Sequence, residues 1–225
     1  LLTELSEFST SESEFAANNL KSVVKSASVE ITAPASAQVW AAVNSTPLVM
    51  PGTGGVNILE PFIKEIEAAQ VKKISDLIRV GYMTGRTSAQ ISKDIAGKGG
   101  YLDKQNRAAI KAMVRTSTNH VSNIARQKTY EDNDDIVIGY EILATLDGRT
   151  SDICKGFDGT IVKHGDKVKP MPPFHPNCRT TTSPVLDARY SADDEAGTKA
   201  NSEGERVSAN KSYYQWLKDQ GAQGT

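Results

Sequence analysis

Apolar positions follow helical spacing through the first 134 residues and alternate thereafter. Ser11-Glu12-Ser13-Glu14 has the form of a capping box, in which a serine and a glutamate three residues on satisfy free backbone N–H groups. Phe15, Leu20, Val23, Val24 and Ala27 follow at near-helical intervals, which predicts a first helix over about 13–28. Pro34 suits the start of a short second helix through Val39, Trp40 and Val43, and the Pro/Gly-rich stretch 45–55 breaks the pattern. From Leu59 the positions Phe62, Ile63, Ile66, Ala69, Ile74, Leu77 and Ile78 form a long stripe, with Pro61 in the permitted first turn and Gly81 near the end. Thr87-x-x-Gln90 caps a short helix carrying Ile91 and Ile95 that stops at Gly97-Lys98-Gly99-Gly100. Asp103 is a candidate cap for the next helix, whose stripe is Ile110, Met113, Val114, Ser117, Val121, Ile124 and Ala125 and which ends near 131–133.

Alternation then places Ile136, Ile138 and Tyr140 on one face of a strand running on through Leu143 to Leu146, with Asp147-Gly148 as a turn. Thr160–Lys163 and Thr180–Leu186 predict two more strands, separated by Pro170-Met171-Pro172-Pro173, which cannot join a sheet centrally. Residues 187–211 hold almost no large apolar side chains and read as a flexible linker. Tyr213-Tyr214-Gln215-Trp216-Leu217 then forms an aromatic anchor that needs a surface to bury it, on its own domain or on a partner. The expected fold class is α+β: a mainly helical N-terminal part, a small loop-rich β element and a flexible C-terminal tail. Its segments are 1–56 (helices and linker), 57–134 (helical domain), 135–186 (β element) and 187–225 (linker and anchor).

Composition narrows the function. With 225 residues and 38% hydrophobic content the chain can bury a core, and 26 basic against 27 acidic residues leave a net charge of −1. A protein that coats DNA through global charge is excluded; a local basic patch is not. No apolar run approaches the roughly 20 residues that cross a bilayer, and Leu1-Leu2-Thr3-Glu4 lacks a signal-peptide start, so the reading is a soluble chain with no membrane partner. A first residue of Leu1 instead of Met points to processing or a fragment.

Cys154, His164, His175 and Cys178 concentrate in one short stretch. Cys154, His175 and Cys178 suit three arrangements: a zinc site with His164 or Asp152 as fourth ligand, a Cys154–Cys178 disulfide, or two reduced buried thiols. A metal-dependent nuclease built on His175 would also use this cluster, although no general base or orienting third residue accompanies it. His120, at the edge of its helical stripe, reads as a semi-buried histidine. Arg115 reads as solvated, or as reaching Asp147 or Asp152. Gly52-Thr53-Gly54-Gly55 lacks the Lys-Ser/Thr ending of a phosphate loop and reads as a connector.

Arg115-Thr116 on a helix, then 144–150 (ATLDGRT), then 153–159 (ICKGFDG), then 172–179 (PPFHPNCR) occur in an order that resembles the phage Mu F-like minor head proteins, the head-morphogenesis family of tailed bacteriophages. The resemblance spans about 61–186, and 213–220 looks like the Trp-Leu-containing end of some members. It marks Arg115, Asp147, Arg149 and Arg179 as structural motif residues. The chain departs from the pattern at Ser151 and Thr180, where many relatives carry cysteine, and at Ser117, where they carry glutamate.

The resemblance implies a non-enzymatic minor capsid protein inside the phage head, present in the host cytoplasm during assembly. It would bind the portal protein, and other capsid or scaffolding proteins or packaged DNA, and act in head assembly, DNA packaging or genome delivery. Tyr213, Tyr214, Trp216 and Leu217 would be its partner-binding residues. The alternatives are the metal-dependent nuclease or effector, and a DNA-binding protein acting during ejection through Lys72, Lys73, Arg79, Arg107, Lys111 and Arg115.

Overall fold

The computed structural model describes residues 2–24, 29–49, 56–101, 107–191, 198–200, 206–208 and 211–222. Its helices are α1 (Leu2–Val23), α2 (Ser36–Ser45), α3 (Leu59–Met83), α4 (Ser88–Ala96), α5 (Arg107–Glu131), α6 (Asp152–Phe157) and α7 (Tyr213–Ala222). Its strands are β1 (Leu48–Val49), β2 (Val56–Asn57), β3 (Val137–Leu143), β4 (Ile161–Lys163), β5 (Thr181–Leu186), β6 (Thr198–Ala200) and β7 (Arg206–Ser208). The class is α+β, with the helices mostly N-terminal to one three-stranded antiparallel sheet of order β4-β3-β5.

Helix α5 is the mast on which α1, α2, β3 and β5 pack. The buried stripe of α1 is Leu5, Ser9, Ser13, Ala16, Ala17 and Leu20, so small side chains bring its backbone close to α5. Ser13 Oγ lies 3.0 Å from Thr129 Oγ1 in that seam, and Thr129 also donates to Ala125 O at 3.0 Å. This corrects the expected helix over 13–28: α1 begins at Leu2, Ser11 is exposed in mid-helix, and Phe15 and Val23 point outward. Ala27 lies outside the described residues. Arg126 covers the outward Phe15 ring at 6.0 Å, and its Nε donates to Glu12 Oε1 at 2.5 Å.

Two apolar clusters share these helices. The lower half of α1 joins Val43, Leu48, Leu59, Ile63, Val121 and Ile124, while its upper half joins Tyr130, Ile136, Tyr140, Ile142, Val162, Phe174 and both cysteines. Met171 packs against both, so segments 1–56, 57–134 and 135–186 have cores in common. The helix from Leu59 and the Thr87–Gln90 capping box form as expected, with Gly97 as C-cap of α4. Asp103 and the 52–55 connector lie outside the described residues, and the flanks of that connector pair as β1 and β2. Val114 points outward on α5 instead of joining its stripe.

The strand pattern also needs correction. A register irregularity between Val137 and Gly139 turns Ile136 and Val137 both inward and leaves Ile138 half-buried, and with Tyr140, Ile142 and Leu143 buried beyond it the strand does not alternate strictly. Gly139 sits where a Cβ would lie 2.1 Å from the Val162 carbonyl, so only glycine lets β4 approach. Pro184 is accommodated because β5 is an edge strand. Within the expected linker, β6 and β7 pair as a local antiparallel ladder, and no described helix is long and apolar enough to cross a membrane.

His120 is fully buried, not semi-buried, and its Nε2–H donates to Val43 O at 3.2 Å, tying α5 to α2. Burial takes its pKa from 6.5 down to about 4. The ring stays neutral in the fold while the unfolded chain takes up a proton, so stability falls as pH drops from 6.5 toward 4. Denaturant melts should show a loss of about 2 kcal/mol between pH 7 and pH 5 that shrinks in His120→Gln, which keeps a donor near Nε2. Gly139→Ala should cost about 1–3 kcal/mol in the same assay, because backbone blocks the added methyl.

Candidate functional site

The chain leaves β3 into a turn in which Asp147 N reaches Thr145 O at 3.2 Å and Thr150 N reaches Asp147 O at 3.2 Å. Ser151 caps α6 by accepting from Cys154 N at 3.4 Å. Cys154, three residues after the cap, turns inward and is buried, whereas Asp152 in the first turn points to solvent and binds Lys155 at 2.9 Å.

Residues 172–179 come up beside α6. Phe174 stacks on Phe157 of α6 with centroids 4.6 Å apart. His175-Pro176-Asn177-Cys178 is a tight turn closed by Cys178 N to His175 O at 3.1 Å. Asn177 takes the left-handed conformation at φ 60°, which asparagine tolerates, and its N–H donates to Thr116 Oγ1 at 3.0 Å. Thr116 itself is anchored to Ala112 O at 2.7 Å, so of the Arg115-Thr116 pair it is the threonine that fixes this turn.

Three side chains converge there. Cys154 Sγ lies 3.2 Å from His175 Nε2 and 3.7 Å from Cys178 Sγ, and the three ligand-capable atoms lie within 4.8 Å of one another. The two cysteines are not bonded to each other. Ser151 Oγ lies 2.9 Å from the same Nε2, and the Thr180 hydroxyl hydrogen-bonds to both sulfurs. The hydrogen bond from Cys154 draws the Cys178 thiol down to about 5, and it holds Cys154 well above the usual thiol range together with burial. A cavity of about 40 Å³ opens beside them, lined by Thr145, Thr150, Ser151, Cys154, His175 and Thr180 among others.

A second, charged knot abuts the cluster. The buried Asp147 carboxylate takes a two-pronged Arg179 contact, Nη1 to Oδ2 at 2.5 Å and Nη2 to Oδ1 at 2.7 Å. Arg149 N donates to Oδ1 at 3.0 Å, and Thr150 Oγ1 lies 3.1 Å from it. The Arg179 guanidinium holds the Asp147 carboxyl well below the usual carboxylate range. From the tail, Tyr213 is buried against this knot: its hydroxyl donates to Asp147 O at 3.1 Å and its N–H to Asp158 Oδ2 at 2.6 Å. Asp158 Oδ1 also accepts from Ala144 N at 2.7 Å, and Lys155 Nζ lies 5.2 Å from the Tyr213 ring centroid.

The structure therefore brings together Cys154, His175, Cys178, Asp147, Arg179 and Tyr213 and separates the other candidates. His164 is not beside the cluster; its Nε2–H donates to Val137 O at 2.8 Å. Arg115 is exposed, which agrees with the solvated reading, and Arg179 holds the Asp147 carboxylate. The Arg149 side chain is 81% exposed and acts mainly through its backbone N–H. Trp216 is half-buried, with its ring 5.5 Å from that of Tyr213, while Tyr214 and Leu217 point outward. Lys72 and Lys73 are exposed, Arg79 binds Asp76 at 2.7 Å, and the side chains of Arg107 and Lys111 lie outside the described residues. Ser151 and Thr180, the two positions where the resemblance has cysteine in many relatives, do lie beside the sulfurs, whereas Asp158 as the acceptor for α7 had no signal in the sequence.

Compared with known proteins, the family described as phage Mu protein F like protein matches residues 72–183, a stretch that holds all of the cluster and the Asp147–Arg179 knot. No curated protein and no solved structure gives a significant match to the chain.

Asp147→Asn and Arg179→Ala should each lower stability at neutral pH by about 2–4 kcal/mol, since each strands a group that the other had satisfied. The double variant should lose clearly less than the sum in a thermodynamic cycle. Because the Asp147 pKa is depressed, its contribution is present at neutral pH and fades as pH falls below 3.8, toward its folded value.

Proposed function

Because the chain belongs to the phage Mu protein F like family of phage head morphogenesis proteins, we propose that it is a minor structural protein of the head interior that binds the portal vertex. The match over residues 72–183 carries this reading, and with it come a place in the virion and capsid-related partners. The portal is the first of these partners; scaffolding or other capsid proteins and the packaged DNA come after it. The protein acts in head assembly, in DNA packaging or in delivery of the genome, from the host cytoplasm during assembly to the finished particle.

The role is binding, not catalysis. What supports binding over the nuclease reading is the match to a family of phage head morphogenesis proteins. The aromatic tail supports a contact with a partner. Tyr213 fastens α7 to the body, which leaves Tyr214 57% and Leu217 50% exposed on a short helix of fixed position. A pre-positioned pair of large apolar side chains is the kind of anchor that carries most of an interface's energy, and a ring of identical portal subunits would repeat its site.

Co-expression with the portal protein of the same phage should give a complex that co-elutes in size-exclusion chromatography. Tyr214→Ala with Leu217→Ala should weaken it by about tenfold or more without changing the melting temperature, as expected for exposed anchors. Separate elution of the two wild-type proteins would sink the portal assignment.

A further inference from the structure

We propose that Cys154 Sγ, Cys178 Sγ and His175 Nε2 bind one Zn²⁺ whose fourth position, a water, is held by the Ser151 hydroxyl. The inference does not depend on portal binding. Three observations carry it.

The first is spacing. Thiolates at about 2.3 Å from a tetrahedral ion lie about 3.8 Å from each other, and a thiolate and an imidazole nitrogen about 3.5 Å. The observed separations are 3.7 Å and 3.2 Å, and the third pair, Cys178 Sγ and His175 Nε2, lies within 4.8 Å, so an ion fits once the imidazole swings about 1 Å toward Cys178. A disulfide would require the sulfurs at about 2.05 Å.

The second is the histidine tautomer. Nδ1 faces the Pro176 carbonyl at 2.9 Å, which can only accept, so Nδ1 carries the proton and the Nε2 lone pair points at the sulfurs. A backbone carbonyl behind the distal nitrogen is the usual support of a metal-bound imidazole. The turn that presents His175 and Cys178 is itself locked by Thr116 and by the Asn177 conformation.

The third is the fourth position. Ser151 Oγ stands 2.9 Å from Nε2 on the side of the cavity of about 40 Å³, which has room for a water. Thr180, which lines the same cavity, hydrogen-bonds to both sulfurs and would lower their basicity in the bound state. Binding removes the thiol protons and releases them to solvent, with no change in oxidation state. The ion would join α6 to the 175–178 turn just ahead of β5, tying the long β4–β5 loop to the body.

The test titrates Zn²⁺ into the reduced, metal-free full-length chain against a chromophoric chelator, with Co²⁺ in a parallel titration for thiolate-to-metal absorption. The expected result is one ion per chain, a tetrahedral cobalt spectrum with two thiolate ligands and a melting temperature that rises with zinc. Cys154→Ser and Cys178→Ser should bind at least about 10–100-fold more weakly, the loss typical even of an outer partner, while keeping the circular dichroism of the metal-free wild type. Ser151→Cys should bind more tightly than wild type by supplying a fourth thiolate. Failure of the reduced wild type to compete with the chelator overturns the site, as does a Cys154–Cys178 disulfide in a protein that ignores zinc when reduced. Unchanged or weaker binding in Ser151→Cys overturns the placement of the fourth position.

Discussion

A carboxylate removed from water must be matched by donors, and Asp147 is buried at the point where four parts of the chain meet. Its oxygens fix Arg179 and therefore the exit of the 172–179 loop, its neighbours Arg149 and Thr150 close the turn before α6, and its backbone carbonyl receives Tyr213 of α7. The contacts with Arg179 and Tyr213 join parts of the chain that are distant in sequence. The cysteine cluster inherits its geometry from them: Ser151 begins α6 one residue after Thr150, and Cys178 immediately precedes Arg179. Loss of the carboxylate would free both arms that carry the sulfurs.

Helix α5 supplies the other half of the framework through polar side chains on its sheet-facing side. Asn119 Nδ2 donates to Thr180 O at 2.9 Å, Asn123 accepts from Thr182 Oγ1 at 3.2 Å, and Arg126 donates to Thr181 Oγ1 at 2.8 Å. Three successive residues at the entry to β5, Thr180 to Thr182, are thus read by one helix, in register with Thr116 holding Asn177 one turn earlier. Polar matching of this kind fixes register in a way that apolar packing alone does not, because a slip of one residue would leave several buried groups without partners.

What the sequence made legible follows from this division. Elements set by local rules were readable: the Thr87–Gln90 box, the helix from Leu59, the strands at 161–163 and 181–186. The Ser11–Glu14 box has the same local form and fails because α1 is held by its seam with α5, whose small residues Ser9, Ser13, Ala16 and Ala17 carry almost no hydrophobic signal. Grouping Cys154, His175 and Cys178 was possible because they crowd one segment. Choosing their neighbours was not: Asp152 and Ser151 are adjacent, and only the orientation of α6 decides that the serine faces the sulfurs and the aspartate faces water. Likewise nothing in the spacing paired Arg179 with Asp147, since only the folded 172–179 loop brings the guanidinium to that carboxylate.

The tail shows how the two knots differ in what they demand. Tyr213 joins the body through two hydrogen bonds and a buried ring, yet Tyr214 and Leu217 on the same helix keep half or more of their surface in water. A helix of ten residues cannot stand alone in solution, so α7 depends on that single anchor for its place. The arrangement separates roles that are usually mixed at an interface: Tyr213 sets position and orientation before any encounter, and the outward side chains remain free to be buried by a partner. A partner would then be spared most of the ordering cost of the helix, which is the condition under which two exposed apolar side chains can support specific binding.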